Sequence, residues 1–385
     1  MRRARFARVR VGLAVLLSSA AVLAQASQGD SVALRQRLQA KFEELHKAAS
    51  FPGGTAGFVL ADGTAFAIAV GVSDRTADTP MKVTDRLLLG SVGKTYVAAV
   101  ALQMIHEKRF ALDDTLDKFF GKEPWFPRLA NASKITVRHL MTHTSGIVRY
   151  EFDPRFTKDL TANPDKVWSG EDRLAYLFDA KPPFAPGEGW QYSDTNYIVL
   201  GMIIERTGKV PYYEQLQTRI LEPHKLRDTV PADSRTVPGL VQGYAGPKNE
   251  FGGSDEMIKD GRFAVNPQFE WTGGGLAVTS LDLAKWGKIL YEGKAVPAEM
   301  MPKMLDGVAA QLGPESKYGL GVIIRPSPLG ITYGHSGFMP GYQTELVYFP
   351  DRKLSIAVQV NSSARGATGR SLRAFALDFA QLITQ

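Results

Sequence analysis

The 385-residue chain contains no cysteine. That excludes disulfides, thiol catalysis, iron–sulfur clusters and a lipid-modified N-terminal cysteine. Its six histidines are scattered, with no H-E-x-x-H or comparable ligand spacing, so no metal or other cofactor is expected. No phosphate loop is complete. Gly93-Lys94-Thr95 has the right ending, but the first glycine of G-x-x-x-x-G-K-[ST] would fall at Leu88. Nor is there a nucleophile elbow: Gly334-His335-Ser336-Gly337 lacks the last glycine of G-x-S-x-G, which would fall at Phe338. Internal repeats are absent.

Positive charge opens the chain. Arg2, Arg3, Arg5, Arg8 and Arg10 precede an uncharged, largely apolar run, Val11 to Leu23, and then Ala24-Gln25-Ala26. A basic start, a short apolar run and an A-x-A site predict a signal peptide over residues 1–26. The run is too short for a comfortable membrane span. Its removal takes five arginines and no acid, so the formal charge falls from +7 to +2. No nucleic-acid footprint remains. The mature chain, residues 27–385, is expected in a periplasm or the extracellular space, with no stable membrane span.

The mature part reads as one α+β domain. Leu34, Leu38, Phe42 and Leu45 predict an amphipathic helix within residues 31–49. Thr55–Leu60 and Thr64–Gly71 flank Ala61-Asp62-Gly63 and predict a hairpin. Leu320–Arg325, Ile331–Gly334, Gln343–Phe349 and Leu354–Asn361 read as successive strands, with a turn at Pro350–Lys353. Leu372, Phe375, Phe379 and Leu382 stripe a closing helix. The expectation is an antiparallel sheet built from both chain ends, about 30–90 and 310–385, flanked by the terminal helices. An all-helical subdomain, about 95–290, is inserted, and the cleft between the parts is the natural site. Residues 148–170 and 237–268 read as long loops able to act as lids.

Chemistry concentrates at Gly90-Ser91-Val92-Gly93-Lys94, which runs into the apolar stretch Val97–Leu102. Serine and lysine three apart at a helix entrance put a hydroxyl and an amine one turn apart on one face. That suits a nucleophilic serine whose base is not histidine. Three further segments stand out. They are Trp190–Tyr197 before an apolar helix, Tyr333–Phe338 on a predicted strand, and Arg138–Ile147 with His139 and His143. Both of those histidines read as hydrogen-bonded structural residues, and Gly273-Gly274-Gly275 as a close-packed turn.

Together these segments resemble the penicillin-recognising serine hydrolases: class C β-lactamases, D-Ala-D-Ala carboxypeptidases, D-aminopeptidases and related esterases. Ser91 and Lys94 match S-x-x-K. Tyr192-Ser193-Asp194 matches Tyr-x-Asn, with Asp for Asn. His335-Ser336-Gly337 matches Lys/His-x-Gly. The resemblance covers roughly residues 40–385 and implies the β-lactamase/transpeptidase-like fold. It implies an acyl-enzyme on Ser91, with Lys94 or Tyr192 as the general base. The Ser91 and Phe338 amides would form an oxyanion hole, Ser336 and Gly337 would bind substrate, and His335 would sit beside Tyr192 and tune the charge. An ionised Asp194 beside Lys94 would hold the lysine cationic and favour Tyr192 as the base. Phe338 stands where such peptidases and β-lactamases commonly have a small or hydroxyl residue. This tilts the reading towards a small ester or amide rather than a cell-wall peptide or β-lactam. A D,D-carboxypeptidase, a class C-like β-lactamase, a non-catalytic cell-wall peptide binder and an envelope assembly protein are the alternatives.

Overall fold

A computed structural model describes residues 32–385, apart from Lys248, Glu250 and Gly252. The predicted signal peptide lies outside the described residues. From the N-terminus come helix α1 (32–47) and the hairpin β1 (Gly53–Val59) and β2 (Ala65–Asp74). The short β3 (Thr79–Pro80) follows. The middle of the chain carries α2 (Lys94–His106), α3 (Val137–Thr142), α4 (Pro154–Ala162), α5 (Asp194–Gly208) and α6 (Ser280–Tyr291). Short strands β4 (Val308–Ala309) and β5 (Lys317–Tyr318) lead to β6 (Ile323–Ser327) and β7 (Gly330–Met339). The chain ends in β8 (Tyr342–Phe349), β9 (Leu354–Val360) and α7 (Leu372–Thr384).

The nine strands form one antiparallel sheet in the order β3-β2-β1-β9-β8-β7-β6-β5-β4, so the two chain ends meet where β1 pairs with β9. Every residue of β1 and β9 is buried, as central strands covered on both faces require. On one face α1 and α7 pack through Leu38, Phe42, Phe375 and Phe379 against Phe58, Ile356 and Val358. On the other, α6 lies against β1 and β9 and joins the sheet to the helical part. Its Trp286 stacks on Tyr96 of α2 at 4.2 Å and donates to Thr95 Oγ1 at 2.8 Å. Helix α2 is apolar nearly all round and buried, the mark of a helix at a domain centre.

The inserted part is not all-helical. Leu87–Leu88, Leu276–Val278 and Thr229–Pro231 form a three-stranded sheet, and Ile258–Lys259 pairs with Arg262–Phe263. These pairings satisfy buried backbone groups where the chain crosses between the two parts. Residues 148–170 are likewise more than a loop. Asp153 caps the Arg155 amide at 2.8 Å, Pro154 opens α4, and Phe156 and Leu160 are buried. Among the described residues, no helix is long and apolar enough to cross a membrane.

Candidate active site

Ser91 sits in a 3₁₀ turn, Gly90–Gly93, that leads from the short strand Leu87–Leu88 into α2. The turn lies directly against β7. Gly90 has φ +52°, and a Cβ there would stand 2.3 Å from the Phe338 carbonyl oxygen, so only glycine fits. From the other side, Gly274 presses on the Gly90 carbonyl, where a Cβ would come within 2.3 Å. The triple glycine is therefore the close-packed turn expected.

Lys94, the first residue of α2, is wholly buried. Its Nζ donates to Ser91 Oγ at 3.0 Å and to the Gly273 carbonyl at 2.5 Å, and it pairs with the Asp194 carboxylate. Three acceptors use the three protons of an ammonium. Burial opposes the charge. Asp194, with Tyr192 and Glu270, outweighs it and holds the amine above the ordinary lysine range.

Asp194 opens α5 just after its cap residue, Ser193. Its Oδ2 accepts from Arg149 Nη2 at 2.7 Å, and Ser91 Oγ lies 3.4 Å from Oδ1. Burial works against this carboxylate, but Lys94 and Arg149 prevail and hold it far below the usual range. Arg149 Nε also donates to Glu151 Oε1 at 2.5 Å. Burial and the Asp194 charge push Glu151 well up. The same two causes bring Glu270 up to about 7.

Tyr192 packs against this cluster, with Lys94 Nζ 5.1 Å from its ring centroid. Its hydroxyl is buried without a hydrogen-bond partner. Burial raises the phenol to about 12, although Lys94 and Ser91 pull the other way. His335 stands 6.1 Å from Tyr192, ring to ring. Its Nδ1 donates to the Ser336 carbonyl at 2.7 Å and its Nε2 accepts from Tyr318 at 2.8 Å. Burial and the Lys94 charge lower it to about 3. It is adjacent to Tyr192 as expected, and burial favours its neutral form.

A cavity of about 850 Å³ opens above these groups. Ser91, Tyr192, Asp194 and His335 line it, as do Ser336, Gly337 and Phe338. Phe338 is 48% exposed. Apolar side chains from Phe152, Phe156, Leu160 and Phe251 also line the cavity, as do the charged Arg149, Glu151, Glu270 and Arg325. Among the described residues, no cluster of three or more His, Asp or Glu is placed to hold a metal.

The Beta-lactamase family model matches residues 38–381. The chain belongs to the Beta-lactamase family. Like its relatives, it is a serine hydrolase of the β-lactamase fold. It is 26% identical over 335 residues to Penicillin-binding protein 4* of Bacillus subtilis, covering 84% of this chain and 70% of that protein. It is 30% identical over 206 residues to Esterase EstB of Burkholderia gladioli, covering 52% of each. A solved D-stereospecific amidohydrolase from Streptomyces sp. superposes with a TM-score of 0.71 at 28% identity, covering 86% of this chain and 94% of that one.

Within this family site the structure brings together every residue picked out from the motifs. It adds Arg149, Glu151 and Glu270, which no local pattern had marked. His139 holds a structural place, its Nδ1 accepting the Thr136 amide in a helix cap. His143 is hydrogen-bonded too, but it forms the floor under Tyr192.

Proposed function

We propose that this protein is an exported serine hydrolase that cleaves small esters or amides through an acyl-enzyme on Ser91, with Tyr192 as the proton acceptor. The observation that carries the reading is Ser91 Oγ, 3.0 Å from a buried lysine ammonium, at the floor of an open cavity beside Tyr192. Lys94 is occupied as a cation by three acceptors, which leaves Tyr192 to take the proton. Burial keeps most of the phenol protonated; in its minor phenolate form, which that cation favours, Tyr192 accepts the Ser91 proton as Oγ bonds to the substrate carbonyl carbon. The carbonyl oxygen becomes an oxyanion held by the Ser91 and Phe338 amides. Collapse breaks the bond to the alcohol or amine, which leaves with the proton from Tyr192. Water then repeats the sequence on the acyl-enzyme and releases the acid. Phe338 and the apolar side chains favour an apolar acyl or alcohol part, and the cavity's two arginines, Arg149 and Arg325, are already paired with Asp194, Glu151 and Glu345. Esterase EstB among the relatives agrees with an ester as substrate.

The relative named as a penicillin-binding protein supports a second reading, a peptidoglycan D,D-carboxypeptidase or class C-like β-lactamase. Intact mass after incubation with benzylpenicillin, beside turnover of aryl esters, separates the two. The expected result is ester turnover without a lasting adduct. A persistent adduct that Ser91→Ala abolishes, with no ester turnover, overturns the esterase reading.

Asp194→Asn tests whether Asp194 is coupled to the catalytic pair. Asp194 raises the pKa of both Lys94 and Tyr192, so removing its charge lowers both. The acid limb of kcat/KM for an ester is then expected to move to lower pH, by about one pH unit or more. A limb that stays in place shows that Asp194 is not coupled to the catalytic pair.

A further inference from the structure

His143 contacts neither Ser91 nor Lys94 through a hydrogen bond, yet it binds the segment that carries Tyr192 at three points. Its carbonyl accepts the Gln191 amide at 3.1 Å. Its Nδ1 accepts the Ser193 amide at 3.3 Å and the Asn196 side-chain amide at 3.0 Å. The ring then lies under Tyr192, with centroids 4.2 Å apart, and touches Tyr318 at 4.6 Å and Tyr197 at 5.4 Å. The residue is fully buried and takes a left-handed backbone, φ +61°, as the cap of α3. Ser145 Oγ secures the other side of Asn196, donating to its Oδ1 at 2.5 Å.

We propose that His143 is the positioning residue for Tyr192: its imidazole ties the Gln191–Asn196 loop from below and fixes the phenol beside Ser91 and Lys94. The clasp works only with a neutral ring, because Nδ1 must be free of a proton to accept from the Ser193 amide. The proton is then on Nε2. Burial and the Lys94 charge hold the ring's pKa well below the ordinary histidine range, which favours this neutral form. The Tyr192 hydroxyl has no partner of its own, so ring contact and the loop conformation are what hold it in place. This inference rests on the reading of Tyr192 as the proton acceptor.

The test is a double-mutant cycle with Tyr192→Phe, using an aryl ester and the rate of Ser91 labelling by a fluorophosphonate. His143→Phe keeps a ring but removes the acceptor. It is expected to lower kcat about 10²-fold, the cost of misplacing a catalytic group by an ångström. KM should stay within about threefold of wild type, since the cavity wall is untouched. His143→Gln offers an amide oxygen to the Ser193 N–H and is expected to recover about tenfold of that loss. In the Tyr192→Phe background either change should cost less than about threefold, because a residue that acts through Tyr192 has nothing left to position. Losses that simply add, with Tyr192→Phe itself slow, overturn the positioning role and leave the Tyr192 reading standing. Tyr192→Phe at wild-type rate overturns the Tyr192 reading and this inference with it. If His143→Phe does not fold, the cycle with His143→Gln decides in the same way.

Discussion

Ser91→Ala is expected to lower kcat for esters by about 10⁴-fold or more and to abolish covalent labelling by a fluorophosphonate, while the protein stays folded. The size follows from the loss of the only step that forms the acyl-enzyme. In serine hydrolases, removal of the nucleophile leaves little beyond binding and oxyanion stabilisation. Retained folding follows from what the hydroxyl does at rest. It accepts one of the three Lys94 hydrogen bonds, and the ammonium keeps Gly273 and Asp194. The expected cost of one such bond is about 1 kcal/mol. A melting temperature within about 2 °C of wild type, together with lost turnover, is the predicted pair of results. Residual activity that a fluorophosphonate still blocks points to a second nucleophile. Ser336 lines the same cavity and is where the label should then be sought by peptide mapping.

How far this site was legible in the sequence follows from what each residue needs in order to work. Ser91 and Lys94 are three apart, and Tyr192 and Asp194 two apart, so local geometry alone places them. The hairpin β1–β2 and the strands β8 and β9 are long enough to show their pattern and lie close to the predicted bounds, whereas β7 runs five residues beyond its predicted end, to Met339. The strands of the inserted sheet have only two or three residues, too few for any alternation to appear. Arg149 and Glu270 acquire their role only through the fold. Arg149 reaches Asp194 across 45 residues of sequence, and in isolation it looks like any surface charge. The neutral state of His335 comes from burial, which no motif encodes. Helix α4 is different: Asp153-Pro154 is a helix-start signal in the sequence itself, inside the segment read as a loop.

Lys94→Met probes the other half of the catalytic pair, and its effects on activity and stability should separate. Activity is expected to fall about 10³-fold or more, because the cation that stabilises the Tyr192 phenolate and orients Ser91 is gone. Stability should fall as well. The Lys94 and Asp194 side chains are 0% and 5% exposed, so the variant leaves a buried carboxylate with Arg149 as its remaining partner. Breaking a buried pair costs about 3 kcal/mol or more. For a chain of this length that is a fall of roughly 4 °C in Tm. The sign with pH follows from the Asp194 carboxyl. Its pKa is lowered in the folded protein, so the pair stabilises at any pH above the unfolded carboxylate value, about 4, and the contribution is lost as pH falls below it. The deficit of Lys94→Met should therefore be full at pH 7 and shrink in acid. The double variant Lys94→Met/Asp194→Asn removes the stranded carboxylate while Arg149 keeps its hydrogen bond to Glu151, and replacing both partners of a buried pair is close to neutral. It is expected to regain most of the lost Tm and none of the lost activity. Recovery of activity in the double variant would mean that Lys94 serves only to neutralise Asp194. Failure to recover Tm would mean that its packing, and not its charge, holds this end of α2.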